Sequence, residues 1–265
     1  MTGGLEATLR ASRSSGRKLL VPYLTGGLGR WTEMVRAAAD AGADAIEIGI
    51  PFSDPVMDGP VIQEANEVSL AAGTTPRSVL DEIATLDAGV PIAVMTYANL
   101  VYRFGWERFA LRCAEVGVDA AILPDIPLEE VGEWCAAADA AGVETVLLAA
   151  PTADDDRLRR IVARTRGFAY SVGLLGITGE RDSLAASALE IARRVKAVTD
   201  VPVLVGVGIS TPEQAAEVCQ VADGVVVGTA MVRRMLADGT PEGIGELVAS
   251  FRAALDGASG MHQLT

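Results

Sequence analysis

Short runs of apolar and β-branched residues alternate along the chain with longer stretches rich in alanine and arginine. The first pattern is typical of buried strands and the second of helices that cover a sheet. Eight such runs predict strands, each stretch between two runs is long enough for a helix, and Leu236–Leu255 holds the last helix. The predicted strands are Lys18–Thr25, Asp44–Ile50, Pro91–Tyr97, Ala120–Ile126, Glu144–Ala150, Phe168–Leu174, Val201–Val207 and Gly224–Thr229.

This alternation predicts parallel strands, because each helix returns the chain to the same end of the sheet. Eight such units within 265 residues match a (β/α)8 barrel, an α/β fold. We expect one barrel domain over residues 1–256 with an extra N-terminal helix, and a flexible C-terminal tail over residues 257–265. A doubly wound open sheet would show the same local signals and is the alternative.

Three segments of the chain repeat one pattern: AGADAIEIGIP, VGVDAAILPDIP and AGVETVLLAAP. In each, a glycine that suits a helix end precedes an acidic residue, an apolar strand and a closing proline. A barrel is built by repeating one strand–helix unit, so the repeat favours the barrel over the open sheet.

One connection is much longer than the others, from the second predicted strand to the third, and it begins PFSDPVMDGPVIQ. Active sites of (β/α)8 barrels form from the loops at the carboxyl ends of the strands. This segment rich in proline and aspartate is therefore a candidate site, with a surface insertion of no function as the alternative.

Glu47 is the strongest single candidate for chemistry. In Asp44–Ile50 the three isoleucines fall on one face of the strand, which in a barrel should meet the helices. Glu47 then points into the barrel, where loss of water would raise its pKa and suit it to acid/base catalysis. The alternative is a structural carboxylate hydrogen-bonded to backbone.

Asp54 and Asp58 follow in the long connection, close to Glu47. Aspartate before proline or glycine is also ordinary turn and helix-cap chemistry, and Asp58 or Gly59 could cap a helix that begins at Pro60. Two carboxylates from one strand–helix unit could nevertheless reach opposite ends of one small substrate.

Glycine-bearing segments follow the last three predicted strands: GLLGITGER, GVGIST and GVVVGTAM. Such loops often bind phosphate through backbone N–H groups at a helix N-terminus, and Thr178, Ser210 and Thr229 could add hydroxyl donors. Tight turns and helix caps are the alternative, with Ser210 or Thr211 as a cap. Tyr97 and Tyr170 lie near strand ends. Each could line a pocket for a flat apolar group, and each could equally well pack in the core.

Scarce residue types exclude several chemistries. The one histidine, His262, lies in the last four residues, and the three cysteines are scattered, which argues against a catalytic zinc site or a histidine-activated nucleophile. Lys18 should lie at the end of the barrel opposite the site and Lys196 on a helix, so neither suits a Schiff base. Carboxylate proton transfer remains, on a substrate that accepts a proton at carbon, such as an electron-rich heteroaromatic ring.

Charge and composition also limit which partners and which location the sequence permits. A net charge of −13 argues against nucleic acid but permits a small anion held by backbone N–H groups. No apolar run is long enough to span a bilayer, and the N-terminus lacks an apolar signal core, so a cytoplasmic location is expected. Cys113, Cys135 and Cys219 have no close pair, which indicates a reducing compartment.

At EIGIPFSDPVMDGPVIQ the chain resembles the tryptophan synthase alpha subunit family. Further stretches fit in order between about Leu5 and Leu255: PYLTGG, MTYANLVYRFG, ILPDIPLEE, GITG, VGVGIST and DGVVVGTAMV. The family implies a (β/α)8 barrel without a cofactor or metal, which cleaves indole-3-glycerol phosphate to indole and glyceraldehyde 3-phosphate.

The resemblance also implies roles for individual residues. It makes Glu47 an acid/base catalyst and Asp58 a second catalytic carboxylate that interacts with the indole N–H as the ring gains positive charge. Tyr23 and Tyr97 would line the indole pocket, Tyr170 would lie near the catalytic glutamate, and Thr178 would belong to a loop that closes over the site. The implied phosphate contacts are Gly179, Gly208, Gly228 and Thr229.

The family partner is a beta subunit in an alpha2-beta2 complex, and Asp54 matches a loop aspartate tied to signalling with it. Several residues depart from the usual family pattern: GGLG at Gly26–Gly29, Met57 beside the catalytic aspartate, Val207, and Thr229 in place of serine. Three other functions stay open: a stand-alone indole-releasing lyase, a non-catalytic subunit that activates a partner, and an isomerase acting on another phosphosugar.

Overall fold

The computed structural model describes residues 4–173, 181–206 and 208–261, and its centre is a closed barrel of eight parallel strands in the order β1 to β8. Closure is direct, because Leu19 of the first strand pairs with Gly224 of the last, which rules out the open sheet. The strands are β1 (Leu19–Thr25), β2 (Ile46–Gly49), β3 (Ile92–Met95), β4 (Ala120–Ile122), β5 (Glu144–Ala149), β6 (Ala169–Ser171), β7 (Val203–Val205) and β8 (Gly224–Val227).

Helices surround the barrel and bury its outer face, so the (β/α)8 fold predicted from the sequence is confirmed. Each strand lies within its predicted run and is shorter, as where β4 stops before Pro124, which has no N–H for the ladder. The helices are α1 (Leu5–Ser14), α2 (Trp31–Asp40), α3 (Pro60–Ala71), α4 (Pro76–Ile83), α5 (Ala98–Phe104), α6 (Trp106–Glu115), α7 (Gly132–Ala141), α8 (Asp155–Arg164), α9 (Arg181–Lys196), α10 (Pro212–Val218), α11 (Thr229–Ala237) and α12 (Pro241–Met261).

The two ends of the chain add to the barrel. The predicted extra N-terminal helix is α1, which buries Leu5 and Leu9 completely. Helix α12 runs to Met261, five residues past the domain boundary predicted at residue 256. Residues 262–265, including His262, lie outside the described residues, and the flexibility expected of the tail stays a prediction.

The long connection after β2 is mostly helical. It contains α3 and α4, and only residues 50–59, here called the strand-2 loop, separate β2 from α3. Helix α4 begins with a capping box, in which Ser78 N–H donates to Thr75 Oγ1 and Thr75 N–H donates to Ser78 Oγ. The residues with candidate chemistry therefore lie in a short loop held between a strand and a helix.

Three aspartates have a structural role at the end of the barrel where the strands begin, and two of them, Asp44 and Asp119, are the acidic residues of repeated segments. Asp44, just before β2, accepts the N–H of Leu20 on β1 at 2.9 Å. Asp119, just before β4, likewise accepts the N–H of Ile92 on β3 at 2.9 Å. Asp223, before β8, accepts the N–H of Val203 on β7 at 2.9 Å. Each aspartate thus joins an even strand to the odd strand before it.

The basic residues around these aspartates belong to the same end. Arg252 of α12 and Arg17 pair with Asp44 at 3.2 Å and 2.7 Å, and Lys196 pairs with Asp223. Lys18 donates to the carbonyl of Ala222, just before β8. Both lysines are therefore at the end away from the strand-2 loop, as the sequence indicates.

All three cysteines lie in the interior of the protein. Cys113, Cys135 and Cys219 are buried free thiols, so none forms a disulfide. Among the described residues, no helix combines the length and the apolar character needed to cross a membrane.

Candidate active site

A cavity of about 310 Å³ opens at the end of the barrel where the strands finish. It brings together residues from β1, β2, the strand-2 loop, β6 and the segments after β7 and β8. The lining residues are Tyr23, Glu47, Met57, Asp58, Gly59, Ile62, Met95, Pro124, Leu148, Tyr170, Val172, Gly173, Gly206, Gly208, Gly228 and Thr229.

Glu47 projects from β2 into this cavity, as the alternation of its strand predicts. It is fully buried, and neither of its carboxyl oxygens has a hydrogen-bond partner among the described residues. Burial, and to a smaller degree the negative charge of Asp58, raise the pKa of Glu47 to about 8. Glu47 is therefore a neutral acid at pH 7, with its proton available to a ligand. The structure does not support the alternative of a carboxylate bound to backbone.

Asp58 faces the same cavity from the end of the strand-2 loop. Its backbone N–H closes a turn on the carbonyl of Pro55 at 3.0 Å, and Gly59 is the N-cap of α3. The Asp58 side chain is thus not used as a helix cap. Burial raises its pKa to about 6, against the opposing effect of hydrogen bonds with Tyr97 and Asn66. Between pH 6 and 8 the site therefore holds one protonated and one ionised carboxyl group.

Asn66 is a site residue that the sequence analysis missed. It lies on the inner face of α3, is buried, and hydrogen-bonds with Asp58, while its Oδ1 has no partner among the described residues. The signal that could have revealed it is its position. Asn66 shares the buried face of α3 with Ala65 and Ser69, where an amide needs a polar partner.

Two tyrosines line the cavity, and each packs against a glycine at or next to a neighbouring strand. A Cβ atom at Gly49 would overlap the hydroxyl of Tyr23, and one at Gly206 would overlap the ring of Tyr170. Burial raises the pKa of both phenols well above 10, and the charges of Glu47 and Asp58 raise it further. Both hydroxyls therefore stay protonated. Tyr170 and Glu47 line the same cavity.

Tyr97 lies beside the strand-2 loop. It is 4% exposed and is not among the residues that line the cavity. Its hydroxyl accepts the backbone N–H of Met57 at 3.0 Å, and its ring lies 5.0 Å from that of Phe52. In this structure its side chain packs against the strand-2 loop, and the expectation that Tyr97 lines the indole pocket stays a prediction.

The far side of the cavity is backbone-rich. Gly208, Gly228 and Thr229 all line it, and Gly228 is the N-cap of α11, so the N-terminus of that helix faces the cavity. Free N–H groups at such an end attract anions. The predicted contacts Thr178 and Gly179 lie outside the described residues.

Ser210 does not join this group. Its backbone N–H donates to the side chain of Gln214 at 2.8 Å, and Thr211 is the residue that caps α10. Ser210 is therefore part of a helix start, which was the alternative reading of that segment.

A methyl group at Gly228 should weaken phosphate binding without unfolding the barrel. The added Cβ would have ordinary contacts only, 3.8 Å to Ile62 Cδ1 and 3.9 Å to Tyr23 Cβ, so the backbone tolerates it. It would occupy space in front of the α11 N-terminus. We expect Gly228→Ala to raise KM for a phosphorylated substrate about tenfold or more, with little change in melting temperature, as measured by steady-state kinetics and calorimetry. An unchanged KM would show that the phosphate lies elsewhere.

The segment that departs from the family after β1 also has a visible structural basis. Gly27 has a φ of +77°, and a Cβ there would overlap Thr74 in the connection between α3 and α4. Gly26 N–H donates to the carbonyl of Gly49 at 2.8 Å. This glycine-rich turn therefore packs against the chain that follows the strand-2 loop.

Asp54 lies at the outer side of the strand-2 loop rather than in the cavity. It is exposed and accepts a hydrogen bond from Ser53 Oγ at 2.5 Å. Its neighbour Val56 is 81% exposed, and Met57 is also exposed. The same short loop thus presents an apolar tip to the outside and Asp58 to the cavity.

Known proteins are similar to this chain in sequence. A family profile described as tryptophan synthase alpha chain matches residues 9–254. The tryptophan synthase alpha chain of Streptomyces coelicolor is 47% identical over 237 residues, which cover 88% of each chain. That of Methanosarcina mazei is 47% identical over 210 residues, which cover 79% of this chain and 76% of the relative.

Solved structures lead to the same family. A chain of tryptophan synthase from Mycobacterium tuberculosis superposes with a TM-score of 0.86 at 34% identity, covering 95% of this chain and 97% of that one. Tryptophan synthase subunit alpha from Legionella pneumophila superposes with a TM-score of 0.86 at 32% identity, covering 96% and 98%. The chain belongs to the tryptophan synthase alpha chain family, lyases that cleave indole-3-glycerol phosphate in tryptophan biosynthesis.

Proposed function

We propose that this chain cleaves indole-3-glycerol phosphate with Glu47 as the acid/base catalyst and Asp58 as the carboxylate that stabilises positive charge on the indole ring. One observation carries the proposal. The cavity holds a neutral acid without a hydrogen-bond partner among the described residues, together with a carboxyl group that is ionised at pH 7. Retro-aldol cleavage of an indole needs both states at once.

The first step is proton transfer to the ring. Glu47 donates its proton to C3 of the indole, and the ring nitrogen takes up the positive charge that results. Ionised Asp58 faces the N–H and lowers the energy of this cation. With both carboxyl groups ionised the step would lack its proton donor, and with both neutral it would lack its counter-charge.

The second step breaks the carbon–carbon bond. Glu47, now a carboxylate, takes the proton of the glycerol hydroxyl next to the ring. The electrons of that O–H bond form the aldehyde, and the electrons of the broken carbon–carbon bond return to the ring and neutralise it. Indole and glyceraldehyde 3-phosphate leave, and Glu47 is again protonated, so no other acid or base is consumed.

The rest of the cavity fits the two ends of the substrate. Tyr23, Met95, Leu148 and Tyr170 offer apolar surface to the indole ring. Gly208, Gly228 and Thr229 offer backbone and a hydroxyl to the phosphate. This division supports the roles expected of Tyr23, Tyr170, Gly208, Gly228 and Thr229.

We also propose a tryptophan synthase beta chain as the partner and the cytoplasm as the location. The exposed tip of the strand-2 loop, with Asp54 and Val56, gives a partner direct access to the loop that carries Asp58. The three buried free thiols fit a reducing compartment. A non-catalytic subunit or an isomerase is not favoured, because the family and the paired carboxyl groups both indicate the lyase.

An indole-release assay tests reaction and partnership together. We expect slow release of indole from indole-3-glycerol phosphate by the chain alone, and a rate at least tenfold higher with a tryptophan synthase beta chain. Equal and efficient turnover without a beta chain would identify a stand-alone lyase. Absence of indole under both conditions would overturn the assigned reaction.

A further inference from the structure

Tyr97 lies between β3 and α5 and contacts the strand-2 loop, which carries Asp58. It follows β3 directly and is the N-cap of α5, so its backbone is fixed by a strand and a helix. Its side chain is almost fully buried at 4% exposure. A residue fixed in this way is a suitable anchor for a neighbouring loop.

Tyr97 contacts the strand-2 loop at both ends. Its ring lies 5.0 Å from that of Phe52, at the start of the loop, with the planes inclined by 31°. Its hydroxyl accepts the N–H of Met57, near the end of the loop, at 3.0 Å. A phenol that accepts one hydrogen bond still has its own proton to donate, and the Asp58 carboxylate takes part in a hydrogen bond with Tyr97.

The backbone of the loop makes hydrogen bonds of its own. At its start, Ile50 N–H donates to the Met95 carbonyl on β3 at 2.9 Å. Val56 N–H donates to the Asp54 carbonyl and Asp58 N–H to that of Pro55, so both bonds lie within the loop. The Gln63 side chain donates to the Asp58 backbone carbonyl at 2.8 Å, which fixes the backbone on the helix side. Hydrogen bonds with Tyr97 and Asn66 act on the carboxyl group itself and oppose the rise of its pKa.

We propose that Tyr97 is a positioning residue that holds the strand-2 loop against the barrel and aims the Asp58 carboxylate into the cavity. The proposal rests on the proposed catalytic role of Asp58. It assigns to Tyr97 an action through Asp58 in place of the contact with the indole ring that the resemblance implies. It also explains how a loop with an exposed tip keeps the Asp58 carboxylate in a fixed position relative to Glu47.

The proposal has an electrostatic consequence that can be measured. A donor to the carboxylate favours its ionised form, so loss of the Tyr97 hydroxyl should raise the pKa of Asp58 above its present value of about 6. The other titratable groups around Asp58 and Tyr97 are Glu47 on β2, Tyr23 on β1, Tyr170 on β6 and Asp125 after β4. The Tyr97→Phe variant alters none of these four groups, and it keeps the aromatic ring that packs on Phe52. The expected change in the pKa of Asp58 therefore reports the loss of the Tyr97 hydroxyl.

The test compares Tyr97→Phe with Tyr102→Phe. Tyr102 is 69% exposed on α5 and contacts Trp106 rather than the loop, so its loss controls for removal of a tyrosine hydroxyl nearby. We expect Tyr97→Phe to lower kcat about 10- to 100-fold with KM changed less than threefold, since misplacement of a catalytic group costs rate more than binding. The acidic limb of its kcat/KM profile should move to higher pH. Tyr102→Phe should match the unaltered chain in kcat, in KM and in the pH of the acidic limb.

A second measurement does not depend on catalysis. Hydrogen exchange at the Met57 amide should be slow in the unaltered chain and faster in Tyr97→Phe, because that amide loses its acceptor. Fast exchange at Met57 in the unaltered chain would overturn the proposal. So would a Tyr97→Phe variant with an unchanged kcat and acidic limb, or one with a raised KM alone, which would make Tyr97 a substrate contact. Failure of the unaltered chain to release indole would instead overturn the proposed function.

Discussion

We expect the Glu47→Gln variant to release indole about 10³- to 10⁴-fold more slowly than the unaltered chain. Glutamine keeps the size of the side chain but can neither protonate C3 nor accept the hydroxyl proton, so both steps lose their proton carrier. The measurement is single-turnover cleavage of indole-3-glycerol phosphate at pH 7. Activity within tenfold of the unaltered chain would remove Glu47 from the mechanism.

The same variant should fold at least as stably as the unaltered chain at pH 8, which separates loss of chemistry from loss of structure. Glu47 binds its proton more tightly in the folded chain than in the unfolded chain, because burial raises its pKa to about 8. The stability that the Glu47 proton contributes is fully present below the pKa of the unfolded chain. It is lost as the pH rises from about 4.5 to 8, by on the order of 4 kcal/mol. Glutamine has no charge to bury, so urea unfolding at pH 8 should show no loss of stability.

The Asp58→Asn variant should lose about 10²- to 10³-fold in kcat, which is typical when one group that stabilises transition-state charge is removed. The unaltered chain should show a bell-shaped kcat/KM profile, because Asp58 must be ionised above about pH 6 and Glu47 protonated below about pH 8. In Asp58→Asn the acidic limb should disappear.

The alkaline limb of Asp58→Asn should move below pH 8 as well, since the negative charge of Asp58 contributes to the raised pKa of Glu47. Rates measured from pH 5 to 9 for both proteins provide the comparison. A persistent acidic limb in the variant would assign that ionisation to another group, and the role given to Asp58 would then be wrong.

Local patterns predicted the barrel and the position of Glu47 well. Strand–helix alternation sets the fold, and period two along β2 fixes which side chains enter the barrel, so Glu47 could be placed from its neighbours alone. Gly208 and Gly228 could be found because loops after the last strands of a barrel converge on one place.

The orientation of Tyr97 and the role of Asn66 could not be predicted in this way. Met95 still follows the alternation of β3 and lines the cavity, but the strand ends there, so the alternation no longer governs Tyr97. Its direction depends on Phe52 and Met57, which lie at least forty residues away along the chain. Asn66 is polar, and only the packing of α3 shows that it is buried.

The aspartates that precede β2, β4 and β8 bear on how the barrel forms. Each joins two strands through a bond between residues 20 to 27 positions apart in the chain, a short separation for a barrel of this size. Contacts that are local in sequence lose less chain entropy on closing and speed folding. Pairs of adjacent strands with the helix between them are thus natural folding units, and the barrel can close by joining them, before the loops at the opposite end are ordered around a substrate.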